Sequence, residues 1–477
     1  MISRIKNSLR LLPFLCFLLA GVTGSGQEGY NIKFKINGLK DTSCIVANYF
    51  GNGTYVKDTL KVDGSGRTVF HAPDSLPRGM YILVITDKKY FEFIVNNDKK
   101  FSIETDIENP SEHIRVSGSP ENSLFYDYLV YNRIQYSQIQ SLEERYKKNV
   151  DNSDSVAFLR KKLMALNDSN IAYKLNIVQT HPKSFLAFMI NAMKEPVVPE
   201  APLLPGGRPD STFAFRYFKA HFWDDTDFTD DRLLRTPVYH NKLKRYFDQV
   251  IVQTPDSIIP EIDRLVEKAR PNKEMFKYIV WFVTWHYENS EIMGFDEVFV
   301  HVIDKYYATS QAWWTTGTTL DNLVNKAKRI KPLLIGKIAP NMVMMDTTGQ
   351  LVSMNDIKSN ILILLFWDPD CGHCVEEIPK IRDFYDQYKV QMGLEVFAVC
   401  SDTSMVKMKK EIKKRDMHWI NVNGPRSLTG NYHDQYDIRT TPVIFILNKD
   451  KEIIAKQLKT DQLESFLNNY LSSSHRE

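Results

Sequence analysis

The sequence predicts a multidomain chain in three parts: an antiparallel β-sandwich over residues 27–110, an α-helical domain over 120–330 and an α/β domain over 336–477. Three observations predict it. The first stretch alternates polar and apolar residues between turn signals. The second carries apolar residues at helical spacing. The third alternates short apolar runs with helical segments. A length of 477 residues suits about three domains. Apolar residues make up 43% and charged residues 25%, ordinary globular values that exclude a disordered, collagenous or coiled-coil whole. Sixty-one basic residues against 58 acidic ones leave a net charge of +3, which gives no electrostatic case for nucleic acid.

The chain opens on a leader. Arg4, Lys6 and Arg10 precede an apolar run from Leu11 to Val22, and Thr23, Gly24, Ser25 and Gly26 follow. A basic start, an apolar run of about a dozen residues and a small-residue exit make a secretory signal peptide over residues 1–26, cut between Gly21 and Gln27. Cys16 lies inside the apolar run, not at a lipoprotein cleavage point. The expected location is an oxidising compartment, the bacterial periplasm or envelope.

In the first domain, Ile32 to Ile36 alternates at period two. Asn37-Gly38 and Asp63 to Gly66 are turn signals. Tyr81–Thr86 and Tyr90–Val95 form a hairpin around Asp87-Lys88-Lys89, and Cys44 falls in the second strand.

Leu124, Tyr128, Tyr131 and Ile134 mark one helix of the second domain, and Phe276, Ile279, Val280 and Val283 another. Pro196, Pro199, Pro202 and Pro205 form a stiff connector. Asp224, Asp225, Asp227, Asp230 and Asp231 lack the glycine and closing glutamate of a calcium loop, so they read as helix caps and a solvated turn. Trp281, Trp285, Trp313 and Trp314 read as core or groove residues. His286 and His301 have no metal-ligand spacing.

The third domain implies a parallel-type sheet. Ile361–Trp367 is a strand buried on both faces, followed by a helix from about Cys371 to Tyr388. Leu394–Cys400 is a second buried strand, and the lysine-rich Ser404–Arg415 is a solvated helix. Val443–Leu447 and Ile453–Ala455 pair across Asn448-Lys449-Asp450, and Asp461–Leu471 closes the chain.

The chemistry centres on Cys371-Gly372-His373-Cys374. Two cysteines three apart at a helix start can close a small disulfide. The first faces the unpaired amides of the helix end, which favour its thiolate. Cys371 is then the attacking thiol and Cys374 resolves the mixed disulfide, while His373 adds positive charge between them. A zinc site usually needs a second cysteine pair, and none exists. A c-type haem site needs histidine at 375, where Val375 stands. A structural disulfide closing so short a loop adds little stability.

With these residues in place, residues 336–477 resemble the thioredoxin fold and, within it, the TlpA/ResA-like thiol-disulfide oxidoreductases of bacterial envelopes. The resemblance rests on Gly336 to Pro340, Asp346 to Gly349, Leu351 to Met354, Phe366-Trp367, Cys371-x-x-Cys374-x-x-Glu377-x-Pro379 and Thr441-Pro442. It implies a redox-active Cys371–Cys374 disulfide and a cis peptide at Pro442 that sets Thr441 beside it. Trp367, His373, Thr441 and Pro442 are implied at the substrate surface. It also implies an acid at Glu377 tied to thiol titration; a solvent-facing helix acid is the other reading of that residue. The buried aspartate of thioredoxin, six residues before the first cysteine, is here Leu365. The expected function is a periplasmic thiol-disulfide oxidoreductase acting on envelope protein thiols and disulfides, a reductase before an oxidase. A membrane or periplasmic thiol donor would supply it, without metal or cofactor. The alternatives are a disulfide oxidase or isomerase, or a non-enzymatic envelope binding protein.

Overall fold

Period-two burial organises the amino-terminal strands of the computed structural model, which describes residues 29–86, 88–149, 153–424 and 427–474. The leader expected over residues 1–26, its expected cleavage region and Cys16 lie outside the described residues, as does Asp87 of the hairpin turn. The described chain packs as two units. One runs up to Ile251 and includes Lys268–Met275; the other comprises Val252–Glu267 and Phe276 onward, so the helices of 120–330 are divided between them.

In the first unit, β1 (Tyr30–Asn37), β4 (Arg67–Ala72), β7 (Lys100–Asp106) and β8 (Arg115–Ser117) form one sheet, in the order β4-β1-β7-β8. A second sheet has β2 (Thr42–Phe50), β3 (Gly53–Val62), β5 (Gly79–Thr86) and β6 (Lys89–Val95), in the order β3-β2-β5-β6. In β1, Tyr30, Ile32, Phe34 and Ile36 are buried while their neighbours are not. They share one core with Val46, Leu83 and Phe93 of the second sheet, which makes a sandwich. It is not wholly antiparallel: β7 returns from the second sheet and runs parallel to β1. Cys44 of β2 is a free thiol in this core.

Helices α1 (Pro120–Lys148), α2 (Ser153–Thr180), α3 (Phe185–Met193), α4 (Phe213–His221) and α5 (Pro237–Arg245) complete this unit. Ser119 caps α1 by accepting from the Asn122 amide, with proline in the first turn. The aspartates of 224–231 act locally. Asp227 accepts from the Thr229 amide, Asp230 from the Arg232 amide, and Asp231 pairs with Arg235.

The second unit holds most of α6 (Pro255–Ala269) and α7 (Lys273–Glu288), with α8 (Asp296–Val302) and α9 (Gly317–Ile330). Phe276, Ile279, Val280 and Val283 are buried as their spacing predicts. Of the four tryptophans expected in core or groove, Trp281, Trp285 and Trp313 are outside the core, exposed at 37%, 46% and 49%. Trp281 and Trp285 stack on each other one turn apart, and Trp313 stacks on Phe276, so ring-on-ring contact replaces burial.

The rest of this unit is a seven-stranded sheet flanked by helices. Its strands are β9 (Val343–Asp346), β10 (Leu351–Ser353), β11 (Ile361–Trp367), β12 (Leu394–Cys400), β13 (Ile420–Asn423), β14 (Val443–Asn448) and β15 (Ile453–Lys456), in the order β10-β9-β13-β12-β11-β14-β15. Its helices are α10 (Gly372–Met392), α11 (Met405–Arg415), α12 (Tyr432–Gln435) and α13 (Leu463–Ser474). The sheet is mixed. β11, β12 and β13 are parallel, but β9–β10 and β14–β15 are antiparallel pairs whose short turns cannot make a parallel crossover. All seven residues of β11 are buried. Ile361, Ile363, Leu365 and Trp367 face the core with α10, and Leu362, Leu364 and Phe366 face the opposite one. β11 therefore delivers its carboxyl end, and the loop after it, to the start of α10.

Candidate active site

Trp367 ends β11, and the chain turns through Asp368 to Asp370 before Cys371. Three contacts fix the turn. The Cys371 amide donates to the Asp368 carbonyl at 3.2 Å. The Ser401 hydroxyl donates to Asp368 Oδ2 at 2.9 Å, and the Ser401 amide to the Trp367 carbonyl at 2.9 Å. Lys407 of α11 pairs with both Asp370 and Asp402.

Cys371 is the N-cap of α10, with extended backbone (φ −75°, ψ 118°), and its carbonyl accepts from the Val375 amide at 3.1 Å. Its thiol is half-buried beside the unpaired amides of the first turn. Cys374, one turn on, is 1% exposed in the core with Trp367, Ile378 and Ile444. Both are free thiols here. The Thr441–Pro442 peptide is cis, and the Cys371 thiol donates to the Thr441 carbonyl at 3.0 Å.

The two sulfurs differ in acidity. Burial raises the Cys371 pKa, but the Thr441 side chain, the Cys374 amide and thiol, and the His373 amide together outweigh it, so the value falls below the ordinary one. For Cys374, burial dominates and pushes the thiol up to about 12. The same cause lifts the buried Cys400 to about 11.

The structure brings Cys371, Cys374, Thr441 and Pro442 together and leaves His373 exposed beside them. Trp367 is corrected. Its ring is fully buried, because β11 is covered on both faces, so it supports the cysteines from behind and does not meet a substrate. Leu365, in the place of thioredoxin's aspartate, is fully buried with Trp367 and Ile444. Glu377 lies one turn beyond Cys374. Its carboxylate accepts from Lys380 at 2.7 Å and from the Thr460 hydroxyl. Lys380 first and Thr460 second hold its pKa below the usual carboxylate value. The anchors Ser401 and Lys407 carry no motif in the sequence. A polar residue directly after a buried strand, here Ser401, is the one signal the sequence offered. Among the described residues, no three histidine, cysteine, aspartate or glutamate groups are arranged to hold a metal ion. None of the described helices is long and apolar enough to cross a membrane.

Known proteins share this geometry's sequence. The model of the AhpC/TSA family matches residues 335–456. Thiol-disulfide oxidoreductase ResA of Bacillus cereus is 30% identical over 138 residues, 28% of this chain and 76% of that protein. The chain belongs to the ResA thiol-disulfide oxidoreductases. ResA of Bacillus subtilis is 28% identical over 158 residues, 33% of this chain and 83% of the relative. A solved domain of a possible thiol-disulfide isomerase from Cytophaga hutchinsonii is 36% identical, covering 31% of this chain and 99% of that one, with a TM-score of 0.29. Upstream of the ResA-like part, two domains of unknown function match residues 30–125 and 145–327. The chain is thus an enzyme of thiol-disulfide exchange, carried on a thioredoxin-like fold behind a β-rich and a helical region.

Proposed function

We propose that this enzyme is an exported, periplasmic reductase of protein disulfides and that Cys371-Gly372-His373-Cys374 is its redox centre. One observation carries the reading: two thiols one turn apart are split in acidity, the accessible one lowered and the buried one pushed up to about 12. The Cys371 thiolate attacks one sulfur of a partner disulfide, forms a mixed disulfide and expels the other partner sulfur as thiolate. Cys374 then loses its proton and attacks Cys371 Sγ, closing the Cys371–Cys374 disulfide and releasing the second partner thiol. Two electrons pass from the enzyme dithiol to the partner, and an envelope thiol donor restores the pair.

The direction rests on the same sulfur. The thiol of Cys371 donates to the Thr441 carbonyl, a bond only the protonated form makes, and burial also favours that form. Both oppose the thiolate, and whatever opposes the thiolate makes the couple less oxidising. The basic leader with its apolar run supports export. Replacing Cys374 with Ser should leave Cys371 joined to partner proteins as mixed disulfides that a Cys371→Ser chain does not form. A reduction potential near thioredoxin's, about −270 mV, supports reduction; one near −120 mV assigns the pair to oxidation instead. If the Cys374→Ser chain captures nothing beyond its control, exchange with proteins is refuted.

A further inference from the structure

The cis-proline loop has little backbone support of its own. Ile438 is buried, and its amide donates to the His433 carbonyl at 2.9 Å. β14 begins at Val443. Between them run Arg439, Thr440, Thr441 and Pro442, of which Arg439 and Thr440 are exposed. Among the described residues, the amides of 439–441 meet no backbone acceptor, and Pro442 has no amide proton to offer. Free amides in an exposed stretch suit a partner strand, but a loose stretch must be ordered when that strand binds.

Side chains supply the order. Asp437, at the head of the loop, has left-handed backbone (φ 49°), which is costly for a residue other than glycine. Its Oδ1 accepts from Arg439 Nε at 3.2 Å, inside the loop, and from Arg329 Nε at 3.0 Å. Arg329 and Asp437 are both half-buried. At the far end, the Thr441 carbonyl accepts from the Cys371 thiol.

Arg329 comes from α9, upstream of the AhpC/TSA match that begins at residue 335. α9 is itself tied down. Ala327 is buried, Lys326 pairs with Glu288 of α7 at 3.0 Å, and Lys331, just after the helix, pairs with Asp304 at 2.6 Å. Arg329 therefore reaches the loop from a fixed support.

We propose that Arg329 is a positioning residue: through Asp437 it holds residues 439–441 ready to receive the backbone of a partner polypeptide. The inference rests on the exchange reading proposed above. Arg329 acts through Asp437 and the loop, not on the sulfurs. It removes part of the ordering cost that the loop otherwise meets on binding. The helical region thereby takes part in partner binding.

The test uses the full chain, reduced, and two disulfides. One is a short peptide whose single cysteine is held as a mixed disulfide with thionitrobenzoate. The other is the symmetrical disulfide of thionitrobenzoate, which offers no backbone to the loop. In each case Cys371 attacks one sulfur, forms a mixed disulfide and expels coloured thionitrobenzoate. Cys374 then attacks Cys371 Sγ and releases the second thiol. Initial rates give the ratio of the peptide rate to the small-disulfide rate. Arg329→Met should lower this ratio about threefold to fivefold, the worth of one half-buried ion pair. Asp437→Asn keeps a residue that tolerates left-handed backbone and removes the charge. It should lower the ratio at least as far, with nothing further lost on adding Arg329→Met. The ratio is internal to each protein, so a general loss of activity or folding does not mimic the effect. A ratio that Arg329→Met leaves unchanged, or losses that add in the double variant, overturn the positioning role alone. Failure of the unaltered chain to react with either disulfide overturns the exchange reading beneath it.

Discussion

Treatment with iodoacetamide at pH 7 should place a single carboxamidomethyl group on the folded, reduced protein, at Cys371. The pKa of Cys371 lies below that of an ordinary thiol, which at pH 7 is itself about 1–3% thiolate, so the Cys371 fraction is larger than that. Cys374, at about 12, has a fraction of about 10⁻⁵. The ionisation gap is therefore at least about a thousandfold. A more basic thiolate is the better nucleophile, and a Brønsted slope near 0.45 over about three pKa units returns about twentyfold. About fiftyfold remains before access is counted. Access widens it, because Cys374 is 1% exposed and Cys371 is not buried. Cys44 and Cys400, each near 11, are about tenfold more ionised than Cys374, but each is enclosed in a core, which keeps the reagent out. Mass spectrometry over time should show one added group, lost in a Cys371→Ser chain, with a rate that levels off below the pH where an ordinary thiol does. Two groups arriving at comparable rates, or first labelling at Cys374, would refute the division of labour between the sulfurs.

The three buried thiols also set a pH limit on stability. Their folded pKa values are raised from 9.0 to about 11, 12 and 11, so the folded chain keeps protons that the unfolded chain releases. Their stabilisation is complete below pH 9 and is lost as pH climbs toward 11 to 12, at about 1.4 kcal/mol per thiol by pH 10. Urea midpoints at pH 8 and pH 10 measure it, and a Cys400→Ala chain should show the smaller drop. Lys456→Met leaves the half-buried Asp296 without its cation and should cost about 1–3 kcal/mol, read as a lower urea midpoint and partly recovered by adding Asp296→Leu. Glu377→Gln should leave the pH midpoint of Cys371 alkylation within about half a unit and cost about 1 kcal/mol or less of stability, since the carboxylate is already committed to Lys380 and Thr460. A shift of a full unit would tie Glu377 to the thiol after all.

What the sequence disclosed and what it hid divide along one physical line. Ile361–Trp367 and Leu394–Cys400 were legible to the residue, because strands buried on both faces are apolar almost throughout, with the half-buried Glu395 the exception. The cysteine pair at a helix start was legible because its chemistry is local: the thiol, the helix end and the neighbour all lie within one turn. Strand direction was not local. Nothing in the composition of β14 distinguishes antiparallel from parallel pairing with β11. Trp367 misled for a related reason, since a tryptophan at a strand end beside a reactive loop reads equally well as a surface ring or as a support.

The burial of Lys456 was the least legible feature. Its decisive contact joins Lys456 to Asp296, residues 160 positions apart in two different matched regions, and neither carries a motif. A lysine in an edge strand normally marks exposure. Here it is 5% exposed, and that burial has a definite cause: the Leu333 carbonyl and the Asp296 carboxylate together replace its water. The buried cation thus ties a helix to the edge of the sheet. Lys456→Met tests this: an unchanged urea midpoint would refute the account of its burial.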